Sequence, residues 1–143
     1  MIIKKKYKFE AAYVDEDGVQ GGSFEMHVSF KLKTSKEVLE SVEKIADNFD
    51  HSIMFSTTNN NVLFLKDSSE RKIILENIHT KNITPLLYAY LTLYSIPTEV
   101  RKLIKQIEVD DTKDTSYVIK QSDLKKEEKK DFIPLFSIEN LKK

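Results

Sequence analysis

The order of periodic segments predicts an α+β fold, an antiparallel four-stranded sheet with helices on one face. Three observations carry this expectation. Residues 23–33 alternate strictly, with Phe24, Met26, Val28, Phe30 and Leu32 on one face and Ser23, Glu25, His27, Ser29 and Lys31 on the other. Val38, Leu39, Val42, Ile45, Ala46 and Phe49 then recur at helical spacing. Two more strand signals, at 107–111 and 117–119, follow a second helix start at Thr84-Pro85. The predicted order is β-β-α, a small hairpin, then α-β-β.

Each element has its own signature. Residues 2–13 read as a strand in which Ile3, Tyr7, Phe9 and Ala11 alternate with Lys4, Lys6, Lys8 and Glu10. The polar break Asp15-Glu16-Asp17-Gly18 turns it into the strand at 23–33, so the two form a long antiparallel hairpin. Gly21-Gly22 adds freedom for positive φ. Thr34 with Glu37 spells a capping box, Thr34 as N-cap, and the helix runs out near Asn48. Ile53-Met54-Phe55 and Val62-Leu63-Phe64-Leu65 flank Thr57–Asn61, and Ile73-Ile74-Leu75 follows a polar turn at Asp67–Glu70; these read as a short side hairpin.

Thr84-Pro85 offers a hydroxyl N-cap with proline at the first helical position, and Leu86, Leu87, Tyr90, Leu91 and Tyr94 form the apolar face that follows. Pro97 opens another turn or helix, with Val100, Leu103 and Ile104 inward. The two closing strands are joined by Thr112-Lys113-Asp114-Thr115. A charge run at Ser122–Asp131 then leads to Phe132-Ile133-Pro134-Leu135-Phe136, too apolar for water and expected to dock on the body or on a neighbouring subunit. The domain therefore spans 1–121, with 122–143 as a charged, then apolar extension.

Composition narrows the function. At 143 residues the chain fits one domain with its own core. Lys plus Arg and Asp plus Glu number 23 each, so no global field points to nucleic acid or membrane. With no cysteine there is no disulfide, no thiolate zinc site and no cysteine nucleophile. The start, Met1-Ile2-Ile3-Lys4-Lys5-Lys6, lacks an apolar signal core, and no long apolar run follows, so a cytoplasmic location is expected. The most chemically capable neighbours are Asp50 and His51 at the exit of the first helix. A carboxylate beside an imidazole can fix its tautomer for proton transfer. The plainer reading is a helix-cap or loop hydrogen bond.

In this order of segments the chain resembles the family of 6-pyruvoyltetrahydropterin and 6-carboxytetrahydropterin synthases. Phe9-Glu10-Ala11-Ala12-Tyr13 looks like the family's Phe-Ser/Glu-Ala-Ala-His at the end of the first strand. Gln20-Gly21-Gly22-Ser23-Phe24-Glu25-Met26 falls where the family has His-Gly-His. Phe49-Asp50-His51-Ser52 is similar to its Leu/Phe-Asp-His motif, and Ile83-Thr84-Pro85 falls near its Pro-Thr-Ala-Glu helix start. Asp110-Asp111-Thr112 sits where a Glu-Thr anchors the pterin. The resemblance covers about residues 3–120. It implies the tunnelling fold, in which β-β-α-α-β-β subunits join into a barrel, and a homo-oligomer, a hexamer. It also implies catalytic roles for Asp50 and His51 and substrate contacts from Asp111 and Thr112.

The departures bear on chemistry. Family members hold zinc with three histidines, at positions that here are Tyr13, Gln20 and Gly22, and the family's catalytic cysteine is absent. These three are degenerate zinc-ligand positions; no metal and no cofactor is expected. His27 lies on the strand face opposite Gly22, and His27, His51 and His79 form no recognisable triad. Asp111 is one methylene shorter than Glu, and its plain reading is a turn residue capping Thr112–Thr115. The expectation is a divergent pterin-synthase-like protein that binds a pterin or purine-like ring without zinc. The alternatives are a non-catalytic oligomeric assembly module and a pterin synthase with improvised zinc ligands.

Overall fold

The computed structural model describes residues 2–57, 71–76, 78–113, 115–123 and 136–138. The hairpin comes first: β1 (Ile2–Asp15) and β2 (Gly18–Lys31) pair antiparallel over their whole length. Their alternation sets the layers. Tyr7, Phe9 and Ala11 of β1 and Phe24, Met26, Val28 and Phe30 of β2 are buried on one face. Leu32, expected on that face, is 57% exposed because β2 ends one residue earlier.

Helix α1 (Lys36–Phe49) lies on the buried face through Val42, Ala46 and Phe49, with Val38, Leu39 and Ile45 at its flanks. Its N-cap is Ser35 and not Thr34: the Ser35 hydroxyl accepts from the Val38 amide at 3.4 Å. Thr34 is buried, and its own amide donates to the Lys31 carbonyl at 3.0 Å, closing the turn out of β2.

The expected side hairpin is corrected. Strand β3 (Ser52–Ser56) pairs parallel to the end of β1, Ala11–Tyr13 against Ser52–Met54. Strand β4 (Arg71–Leu75) pairs parallel to β3. Helix α1 carries the chain back along β1, so the strand that leaves it runs in the direction of β1. Val62–Leu65 lies outside the described residues. A 3-10 turn at Thr80–Asn82 follows, capped by His79, whose Nδ1 accepts from the Lys81 amide.

Helix α2 (Leu86–Tyr94) has Pro85 in the flanking cap position, with no side-chain cap hydrogen bond. The expected one-sided stripe is also corrected. Residues 87–93 are all buried, so the helix is a core element with apolar contacts all round. Helix α3 (Thr98–Arg101) leads into β5 (Ile104–Asp110) and β6 (Ser116–Lys120), an antiparallel pair set against β2. Strand β7 (Phe136–Ile138) pairs antiparallel with β4, so part of the apolar tail docks on the body; residues 132–135 lie outside the described residues.

Among the described residues the strands form one mixed seven-stranded sheet, ordered β6-β5-β2-β1-β3-β4-β7. The expected antiparallel four-stranded sheet is its β6-β5-β2-β1 half; β3, β4 and β7 extend it with parallel and antiparallel additions. An aromatic knot holds helices to sheet. Phe9 lies 5.6 Å from Phe24, 5.5 Å from Phe49 and 5.0 Å from Tyr88, ring centre to ring centre. Val14, Ile53, Phe55 and Ile74 bury a smaller apolar patch on the opposite face, at the β1–β3–β4 end. The opposite face of the β1–β2–β5 half is polar.

Candidate functional site

Two adjoining clefts sit where the motif residues converge, at the hairpin-turn end of β1 and β2. The first, of about 480 Å³, is lined by Glu10, Ala11, Ala12, Gly22, Ser23, His51 and Ser52. The second, of about 340 Å³, shares Glu10 and Ser23 and adds Lys8, Phe9, Phe24, Glu25, Asp50 and Thr112. Both volumes fall in the range of small-molecule sites. Both are open to solvent.

Asp50 is the C-cap residue of α1. Its Oδ1 accepts from the Glu10 amide at 2.8 Å, and the His51 amide donates to the Glu10 carbonyl at 2.7 Å. These two bonds join the helix exit to β1 just before the β1–β3 pairing begins at Ala11. Backbone splicing is thus one role Asp50 already fills. His51 takes φ 58°, a left-handed conformation at the sharp turn from helix to strand. Its imidazole is 77% exposed, and Nε2 lies 3.5 Å from Asp50 Oδ2, a loose contact.

At the other end, Asp111 Oδ1 accepts from the amides of Lys113 (2.9 Å) and Thr115 (3.1 Å). The turn-capping reading of Asp111 describes this geometry directly. Thr112, at φ 60°, donates its hydroxyl to the Ser23 carbonyl at 3.0 Å and so ties the β5–β6 turn to β2 beside the clefts. Asp50, His51 and Thr112 therefore border one region, with Glu10 and Ser23 between them. Asp111 lines neither cleft.

The three degenerate zinc-ligand positions share one face of the hairpin. Tyr13 and Gln20 are direct cross-strand partners, and Gly22 lies two residues along β2 on the same side. The residues present do not fit a zinc ion. Burial, and then the proximity of Tyr117, Asp15 and Asp111, raises the Tyr13 pKa, which favours the neutral phenol over an anionic ligand. Gln20 offers only a carboxamide. Gly22 has φ +150°, a conformation that L side chains rarely adopt, so the backbone itself disfavours a histidine there.

On the opposite, polar face the structure assembles a group that sequence reading missed. Glu25, His27 and Asp110 bring one ligand atom each within 4.8 Å of the others. Glu25 is the cross-strand partner of Asp110, and His27 lies two residues from Glu25 on the same face. The alternation of β2 was the available signal for Glu25 and His27. The β2–β5 register that brings in Asp110 left none.

No protein-family model matches this chain, and no curated protein does either. Among solved structures it is similar to an uncharacterized protein, WS1659, from Wolinella succinogenes, at 11% identity and a TM-score of 0.59. The match covers 85% of this chain and 98% of that one. It shows that the two share a fold.

Proposed function

We propose that this chain is a divergent pterin-synthase-like protein of the tunnelling-fold type. In this reading it binds a pterin or purine-like ring in the adjoining clefts without a three-histidine zinc site. One observation carries it: segments far apart in sequence, Glu10, Ser23, Asp50-His51 and Thr112, meet around the clefts in the order that the resemblance implies. The antiparallel β6-β5-β2-β1 unit with α1 and α2 on one face also supports it. Glu10 and Glu25 border the clefts, and a carboxylate there matches paired N–H donors on a heterocycle edge. His51, exposed at the rim, is the acid–base candidate. Assembly into a ring would narrow clefts that are open in a single chain.

The test is titration of the pure protein with neopterin, biopterin and guanine, read by ligand fluorescence or calorimetry. Binding below millimolar, weakened about tenfold by His51→Ala, is the expected result. No binding below millimolar by any of the three would sink the reading. A second reading, a non-catalytic assembly module, is favoured by the engagement of Asp50 with the Glu10 amide. It would be supported if the protein forms a ring in solution yet binds none of these rings.

A further inference from the structure

We propose that Glu25, His27 and Asp110 form a binding site for a divalent transition-metal ion on the polar face of the sheet, with Zn²⁺ the best-matched ion. The proposal does not depend on ring binding in the clefts, and it uses none of Tyr13, Gln20 or Gly22.

The geometry comes from two strands of one rigid sheet. Glu25 and His27 occupy alternate positions of β2, so both side chains leave the same face. Asp110 is the direct antiparallel partner of Glu25 on β5. Three candidate ligand atoms lie within 4.8 Å of one another, and all three residues are half-buried. Small rotamer changes would bring them to about 2 Å from a common centre. Donors on strands are held more precisely than donors on loops.

The charge pattern points the same way. Two carboxylates directly opposite each other across a strand pair repel, which ordinarily destabilises a sheet. Here the Glu25–Asp110 pair is adjoined by another carboxylate, because His27 faces Glu108 on β5. The cations on the β1 side are Lys8, whose Nζ is 3.8 Å from Glu25 Oε1 on a side chain 68% exposed, and Lys6, the cross-strand partner of His27. A solvated ammonium at that distance offsets the repulsion weakly. The His27 imidazole already approaches Glu25, Nε2 to Oε2, at 3.4 Å. An ion bound by one imidazole nitrogen and two carboxylate oxygens would neutralise the opposed acids.

The donor set selects the ion. An imidazole suits Zn²⁺ and other first-row ions, whereas carboxylates alone favour Mg²⁺, Ca²⁺ or Mn²⁺. One nitrogen with two oxygens therefore places Zn²⁺ above Mg²⁺ and Ca²⁺. Three protein donors also leave the fourth tetrahedral position free, as in reactive zinc sites. Glu25 lines the second cleft beside Lys8 and Thr112, so that position would open towards it.

The experiment is calorimetric titration of tag-free, chelator-treated full-length protein with ZnCl₂, with MgCl₂ in parallel. The variants are Glu25→Gln, His27→Gln and Asp110→Asn. Asp110→Asn keeps a carbonyl oxygen for the Thr112 amide, which now donates to Asp110 Oδ1 at 2.8 Å, so the turn survives while the charge is lost. Circular dichroism checks that each variant folds. One Zn²⁺ per chain is expected, with affinity falling about tenfold or more in each variant and unchanged in His51→Ala and His79→Ala. Cobalt substitution should give a visible spectrum that His27→Gln removes. Zinc binding that survives all three substitutions, binding lost only in the His51 or His79 variants, or no binding at all would overturn the proposal.

Discussion

Asp50 was legible as a polar residue at a helix exit, yet the sequence left its partner open. Its carboxylate could orient His51 or cap backbone, and the 2.8 Å bond to the Glu10 amide shows that it caps. The carboxylate is 41% exposed, so water can replace it when it is removed. Asp50→Ala should therefore cost only about 1 kcal/mol, the ordinary net worth of one hydrogen bond. Asp50→Asn, which keeps an acceptor oxygen, should cost less. Urea denaturation of the two variants measures this, and equal losses would show that charge and not the bond to Glu10 matters. The Glu25–His27–Asp110 group was half legible at this same scale. Period two placed Glu25 and His27 on one face, and placed His27 away from the zinc-ligand positions. Which residues of β5 face them depends on a register that only folding sets.

The legibility of each element followed its exposure. The stripe of α1 was readable because one side of the helix meets water, so apolar residues recur at 3.6. Helix α2 is buried all round, which erases that period and leaves only a run of apolar residues. Strands β3 and β4 were readable as strands, but pairing direction has no sequence period, and the parallel ladder of Ser52–Ser56 with Arg71–Leu75 went unseen. Thr34 and Ser35 carry the same capping chemistry, and the burial of Thr34 leaves the cap to Ser35, one residue later than the sequence suggests. Phe49 is the residue through which α1 depends on the rest of the fold. It is fully buried, 5.5 Å from Phe9 and 5.3 Å from Tyr88, and it directly precedes the Asp50 splice. Phe49→Ala should cost about 3–5 kcal/mol, the usual range for truncating a buried aromatic. Chemical denaturation measures that loss. A cost below about 1 kcal/mol would mean that α1 is not anchored through this ring.

At the scale of the whole molecule, Tyr7 and Tyr88 tie α1 and α2 to the sheet and should make the fold sensitive to alkali. Burial, with Glu43 nearby, pushes the Tyr7 pKa up to about 12, and its hydroxyl donates to the Leu39 carbonyl of α1. Burial, and then Tyr13, raises Tyr88, whose hydroxyl donates to the Ala12 carbonyl of β1 at 3.3 Å. Tyr13 is raised in turn, mainly by burial. The sign follows from linkage. Each folded-state pKa lies above the unfolded value of about 10, so the folded state holds these protons more tightly. The associated stability is fully present below about pH 10; the Tyr7 share is lost as pH rises through about 12, and the Tyr13 and Tyr88 shares as pH rises through their own raised values. Because Tyr7, Tyr13 and Tyr88 meet in or against one core, they should ionise together when that core opens. None of the six tyrosines is exposed, so alkaline titration should show a cooperative rise in tyrosinate absorbance above about pH 10 that coincides with loss of circular dichroism. Tyr7→Phe and Tyr88→Phe should each shrink that rise. If all the tyrosines ionise near pH 10 while the dichroism is unchanged, the buried hydroxyls do not couple titration to folding.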